Sequence, residues 1–303
     1  MKRHLDEPGP VLAWLLKLGV AGLLGLAALG AHAYAGPASL RAKYGELREQ
    51  LRSNNFQRAL HIDSSEDGEA LHGDVYAVLE HSFTSVSRAL KDPGDWCSIL
   101  ILPFNTRYCH AAEANGGARL QVRIGRKFDQ PVQDAYRLDF GLRPVAATPD
   151  YLESRLDAAT GPLGTRDYRI TVSAVPLDAR RTFLRLSYSY GYGMAGRLAM
   201  QGYLATVGAD KVGFTVVGRD GNGRPIHIGG VRGAIERTAM RYYLAIDAHL
   251  ASLGVPPDQQ LEKKIETWFE ATERYPRQLR EMDRATYMAM KRGEFERQQA
   301  KLE

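Results

Sequence analysis

"GGVRGAIERTAMRYYLAIDAHLASL", residues 229–253, is the stretch that decides the fold. Val231, Ile235, Ala239, Tyr242, Ile246, Leu250 and Leu253 recur at the 3.6-residue period, which predicts a long helix over Val231–Leu253. Met240, Leu244 and Ala248 widen the apolar stripe beyond one face, so this helix needs cover on two sides. The chain before it offers a sheet for one side, and the chain after it offers helices for the other.

The sheet is written in period-2 alternation. Leu71, Gly73, Val75, Ala77 and Leu79 share one face of a first strand. Two short helices follow, Ser82–Leu90 and Trp96–Leu102, separated by the breaker KDPGDW. Five more alternating runs come next. Their inward sets are Leu120, Val122, Ile124; Tyr136, Leu138, Phe140, Leu142; Leu152, Leu156, Ala158; Tyr168, Ile170, Val172, Ala174; and Leu184, Leu186, Tyr188, Tyr190, Tyr192. The opposite faces carry Arg123, Arg137, Asp139, Arg155, Arg169 and Arg185, as expected of antiparallel strands with one wetted side. TRYCHA (106–111) is a further strand, making seven, and SSEDGE (64–69) reads as a turn. A helix over Ser39–Asn54 precedes the sheet. A helix over Met194–Val207 and a hairpin around Gly221-Asn222-Gly223 separate its last strand from the long helix. After Gly254 a charged tail with an apolar edge of Trp268, Phe269, Tyr275, Leu279, Tyr287 and Met290 predicts two helices split near Pro276, packed on the long helix.

The N-terminus bears on compartment. Lys2 and Arg3 precede an apolar run broken by glycines, and Ala31-His32-Ala33 and Ala33-Tyr34-Ala35 are small-x-small cleavage patterns, so residues 1–35 read as a secretory signal peptide. Val11–Ala35 is also long enough to span a bilayer as an uncleaved anchor, with Lys17 inside it. Either reading exports the body, to the periplasm or to the outer side of the membrane. In an oxidising compartment the only two cysteines, Cys97 and Cys109, read first as a disulfide, with two buried thiols as the alternative.

Composition excludes more than it assigns. The 303 residues hold 40 Lys plus Arg against 35 Asp plus Glu, a formal charge of +5. No RNA-binding or zinc motif and no dense basic patch accompanies that balance, so nucleic acid is not an expected partner. A mild attraction to anionic membrane surfaces is compatible with it. No Gly-x-Ser-x-Gly elbow, His-Glu-x-x-His or phosphate loop is present, and His72, His81, His110 and His227 lack ligand spacing. No catalytic residue, cofactor or metal is therefore assigned.

Strand, paired helices, an antiparallel run and one long C-terminal helix, carried by LHGDVYAVLEHSFTSVSRALKDPGDWCSILI (71–101) and by residues 229–253, resemble the helix-grip fold of the START-like (SRPBCC) superfamily, here in an exported form. The resemblance implies an α+β fold in which a curved antiparallel sheet wraps a long C-terminal helix. Residues 71–254 would form that domain, with a helical lead-in (36–70) and a helical extension (255–303). It also implies a cavity between sheet and helix for a lipid or other hydrophobic small molecule. Leu138, Phe140, Leu156, Val172, Leu186, Tyr188, Tyr190 and Tyr242 are the candidate lining, and Ala174 is the position to plug. The alternatives are a polyketide-cyclase-like enzyme, which would need a buried acid/base pair facing the cavity, and an envelope scaffold with a filled core.

Overall fold

Gly73 lies on the inner face of its strand, and a Cβ there would sit 3.2 Å from the Ile235 side chain and 3.4 Å from the Ala239 methyl. Its missing side chain lets the long helix settle directly on the sheet. The computed structural model describes residues 36–114, 117–128, 130–206 and 208–299; the segment read as signal peptide or anchor lies outside the described residues.

In chain order the elements begin with helices α1 (Pro37–Glu46) and α2 (Arg48–Arg52), then strands β1 (Leu60–Asp67) and β2 (Ala70–Leu79). Helices α3 (Phe83–Ala89) and α4 (Pro93–Leu100) follow. Both start on side-chain caps. Ser82 Oγ accepts from Ser85 N at 3.3 Å and Asp92 Oδ1 from Asp95 N at 2.8 Å, so KDPGDW closes one helix and opens the next. Strands β3 (Thr106–Ala114), β4 (Gly117–Ile124), β5 (Tyr136–Thr148), β6 (Tyr151–Thr160), β7 (Thr165–Pro176) and β8 (Thr182–Tyr192) complete the run. Then come α5 (Met194–Ala205), the small hairpin β9 (Val216–Arg219) and β10 (Pro225–His227), the long helix α6 (Gly230–Ser252), and α7 (Gln260–Glu273), α8 (Pro276–Leu279) and α9 (Arg284–Gln299).

Among the described residues eight strands form one antiparallel sheet in the order β1-β2-β8-β7-β6-β5-β4-β3. Register shifts at Thr106/Tyr108, Pro144/Ala146 and Arg166/Arg169 are bulges that bend the strands and help curve the sheet. Helix α6 packs on the inner face against β1, β2 and β8, and α4 fills the inner face at β3 and β4. The fold is α+β, a curved antiparallel sheet wrapped around a long C-terminal helix.

Two expectations need correction. SSEDGE is not a turn: β1 runs through Asp67, paired Leu60↔Ala77 to Asp67↔Ala70, and only Gly68 and Glu69 turn the chain, with Gly68 at φ +58°. β1 buries only Leu60 and Ile62, and its polar end hides the alternation. Nor is the outer face simply wetted. Leu40, Leu47 and Leu51 of the lead-in, which breaks at Leu47 into two helices, pack there with Tyr76, Tyr151, Val175 and Phe183 as a second core.

The tail belongs to the same compact unit as the sheet. α7 lies along α6, and α9 runs against β3, covering that edge of the sheet. Cys97 of α4 and Cys109 of β3 form a disulfide with their Cα atoms 5.2 Å apart, pinning helix to strand across the 101–105 link. Protein from an oxidising compartment should carry no free thiol. The double variant Cys97→Ala, Cys109→Ala should lose about 3 kcal/mol in urea unfolding. An unchanged midpoint would mean that the bond adds nothing to stability.

Candidate functional site

β8 ends in YSYGY, which puts Tyr188, Tyr190 and Tyr192 on one face at period 2, and β7 adds Tyr168 beside them. Tyr168 stacks on Tyr190 with centroids 5.2 Å apart and planes 13° from parallel, while Tyr188 packs on Tyr242 of α6 at 5.4 Å. These rings form one wall of a cavity of about 330 Å3 that opens between the sheet and α6. Ile124 and Leu138 floor it, Phe104 of the α4–β3 link closes one side, and the turn at Pro162–Leu163 closes another. The last wall is α5, through Gly196, Ala199, Met200 and Tyr203. The helix inserted between the last strand and the long helix is thus part of the site and leaves space behind it.

Of the eight candidate lining residues, Leu138, Tyr188, Tyr190 and Tyr242 border this cavity. Phe140, Leu156, Val172 and Leu186 do not. They share the inner face but lie deeper in the sheet, 0–1% exposed in the main core, where α4 and α6 fill the concavity. Ala174 is sealed off with them. Tyr243, next to Tyr242, points away and lies 3.4 Å from the Arg58 guanidinium.

The polar equipment is selective. Tyr168 Oη donates to Thr165 Oγ1 at 2.8 Å and Tyr192 Oη to Glu66 at 2.6 Å. Tyr188, Tyr190 and Tyr242 border the same cavity. Burial holds all three phenols above their ordinary range, so they stay protonated donors. Tyr203 moves the other way: burial raises it, but the Lys127 ammonium, 5.6 Å from its ring centroid, and the Arg237 guanidinium, 3.3 Å from its oxygen, together bring it below the usual phenol value. Asn105, Lys127, Thr238 and Arg241 complete the polar lining.

Glu236 is buried beside Arg237 on α6, yet it pairs with neither Arg237 nor Arg241. Its Oε1 accepts from Ser64 and Thr215 hydroxyls, both at 2.7 Å, and its Oε2 from the backbone of Phe214 (2.6 Å) and Thr215 (2.9 Å). Arg232, four residues before Glu236 on α6, meets the same Ser64 from the other side, so a hydroxyl bridges the two charges. This is structural wiring that ties β1 and the 214–215 segment to α6. His81 and His249 likewise reach carboxylates, Asp247 at 3.5 Å and Asp95 at 3.2 Å, away from the cavity.

No protein-family model matches the chain, and no curated protein does. Solved structures similar to it include a conserved protein from Geobacillus kaustophilus at 12% identity, covering 59% of this chain and 95% of that one with a TM-score of 0.35. An aromatase/cyclase from Streptomyces matches at 16% identity over 46% of this chain and 74% of its own, TM-score 0.32. A START superfamily protein from Mycobacterium smegmatis matches at 13% identity over 45% and 88%, TM-score 0.31. The chain itself shows a sheet-wrapped helix with a tyrosine-walled cavity, the α+β helix-grip arrangement that the order of its elements anticipates.

Proposed function

We propose that the protein is exported and holds a lipid or other small hydrophobic molecule in the cavity between β4, β5, β7, β8, α5 and α6. The observation that carries this reading is the cavity itself: about 330 Å3, walled by aliphatic and aromatic side chains, with Tyr188, Tyr190 and Tyr242 among them. That volume is at the small end of the roughly 300–1,000 Å3 typical of ligand sites, which suits a short molecule or the end of a longer chain. The tyrosines on its wall combine apolar ring surface with hydroxyls that can hydrogen-bond a polar group of such a molecule. Such a cavity also speaks against the filled-core scaffold.

Export is supported by the N-terminal sequence pattern and by the disulfide. Contact with a membrane surface is supported by Leu163, Met194 and Leu198, which are 53–74% exposed on the two elements that close the cavity. The cyclase-like alternative has one observation in its favour, the Tyr203 phenol held between Lys127 and Arg237.

Organic extraction and mass spectrometry of protein purified from the periplasm should recover a stoichiometric hydrophobic molecule. Ala199→Trp, on the α5 wall, should abolish that recovery while the protein stays folded, since overpacking costs about 1–3 kcal/mol. A clean wild-type protein that no member of a lipid panel stabilises would overturn the proposal.

A further inference from the structure

One end of the cavity is charged, and the charges do not balance. Lys127 enters from the β4–β5 link and Arg241 from α6. Behind Tyr203 stands Arg237, 1% exposed, with Nη2 3.3 Å from the phenol oxygen and Nη1 3.3 Å from the Val212 carbonyl. Lys211 donates to the Arg280 carbonyl nearby. Among the described residues the carboxylate that pairs with these cations is Glu281, whose Oε1 meets both Lys127 Nζ at 2.7 Å and Arg241 Nη2 at 2.5 Å. Glu236 is already occupied by its four donors. Arg241 Nε is buried with no hydrogen-bond partner among the described residues. Cations crowded into an apolar cavity repel one another and lack the solvation and screening that water would give.

We propose that the cavity's ligand is an amphiphilic anion, its carboxylate or phosphate head seated at Lys127 and Arg241 within reach of the Tyr203 hydroxyl, its apolar body lying along Ile124, Leu138, Tyr188 and Tyr242. This rests on the cavity being a ligand site and narrows the class of molecule it takes. A neutral amphiphile would leave Lys127 and Arg241 sharing the single Glu281 carboxylate, and a cationic one would add to the repulsion. The arrangement separates functions along the cavity: aromatic and aliphatic walls select for an apolar body, and the cationic corner fixes which end enters.

Calorimetric titration of the delipidated full chain tests this with probes of one chain length. Decanoate and decyl phosphate should bind about tenfold or more tighter than decanol, and decyltrimethylammonium should bind weakest. Inorganic phosphate should bind about a hundredfold weaker than decyl phosphate; equal binding would make this a free-phosphate site and overturn the amphiphile. Lys127→Met should weaken decanoate about tenfold with decanol unchanged, and Lys127→Arg should restore it. Decanol binding as well as decanoate, or Lys127→Met weakening both alike, would overturn the anion while leaving the hydrophobic site standing. If no decyl compound binds, the ligand site itself fails, and this inference with it.

Discussion

Deletion of residues 255–303 is expected to leave a chain that no longer folds cooperatively. The tail brings Ile265, Trp268, Phe269, Leu279, Tyr287 and Met288 into the main core, each 0–6% exposed. Burying a large apolar side chain contributes about 1.5–3 kcal/mol, so four or more of them match the whole stability of an ordinary domain, about 5–15 kcal/mol. Trp268 stacks on Tyr287 and both meet Phe104 edge to face, with ring centroids 4.9–5.3 Å apart, and Trp268 Nε1 donates to the Arg241 carbonyl at 3.1 Å, so the tail also supports the cavity's own residues. Removing it would strip one side of α6 and expose the β3 edge to pairing with other chains. The truncated protein should show no sharp thermal transition and should bind a hydrophobic dye. Trp268→Ala gives the graded version, with an expected loss of about 3–5 kcal/mol in urea unfolding. A truncated protein that melts like the full chain would make the tail a mere appendage.

That role was partly legible beforehand. The ten apolar positions of α6 spread too far around the helix for a sheet alone to cover, and the aromatic edge of the tail was the available partner. Alternation likewise exposed every inner strand from β2 to β8. It failed at β1, whose outer half is polar, and on the outer face, where Tyr76 and Phe183 look like exposed strand residues until α1 lands on them. The site was half legible. The period-2 row Tyr188–Tyr190 and the helix position Tyr242 follow from pattern, but period 2 cannot say how far along a strand the helix leaves space, so it does not separate Leu138, which borders the cavity, from Phe140, Leu156, Val172 and Leu186, which lie in the packed core. Lys127, Tyr203 and Arg241 come from three distant segments. No spacing links them; only the fold does.

Glu294→Gln should be a strongly damaging exchange. Arg107, Lys291 and Glu294 are each 0–1% exposed where α9 meets β3. Lys291 Nζ donates to Glu294 Oε2 at 2.7 Å and to the carbonyls of Pro103 (2.7 Å) and Thr106 (3.1 Å), while Arg107 bridges Glu294 and the carbonyls of Arg126 and Phe128. Neutralising the one carboxylate leaves two buried cations facing each other with only dipoles for company, a loss of about 3–5 kcal/mol. The pH dependence separates this from a simple packing defect. Burial lowers the Lys291 ammonium to about 8 in the folded protein, even with Glu294 beside it to raise it. An unfolded lysine titrates near 10.4, so between those values the unfolded chain holds more protons and this group makes stability rise with pH. In the variant the Glu294 contribution is gone, the folded value falls further, and the rise should begin below pH 8. Urea midpoints from pH 6 to 9 should therefore show the variant recovering part of its deficit, below the range near 10 where buried tyrosines start to oppose it. A deficit that stays constant across that range would mean that Lys291 is not held charged by Glu294, and that α9 is anchored by packing alone.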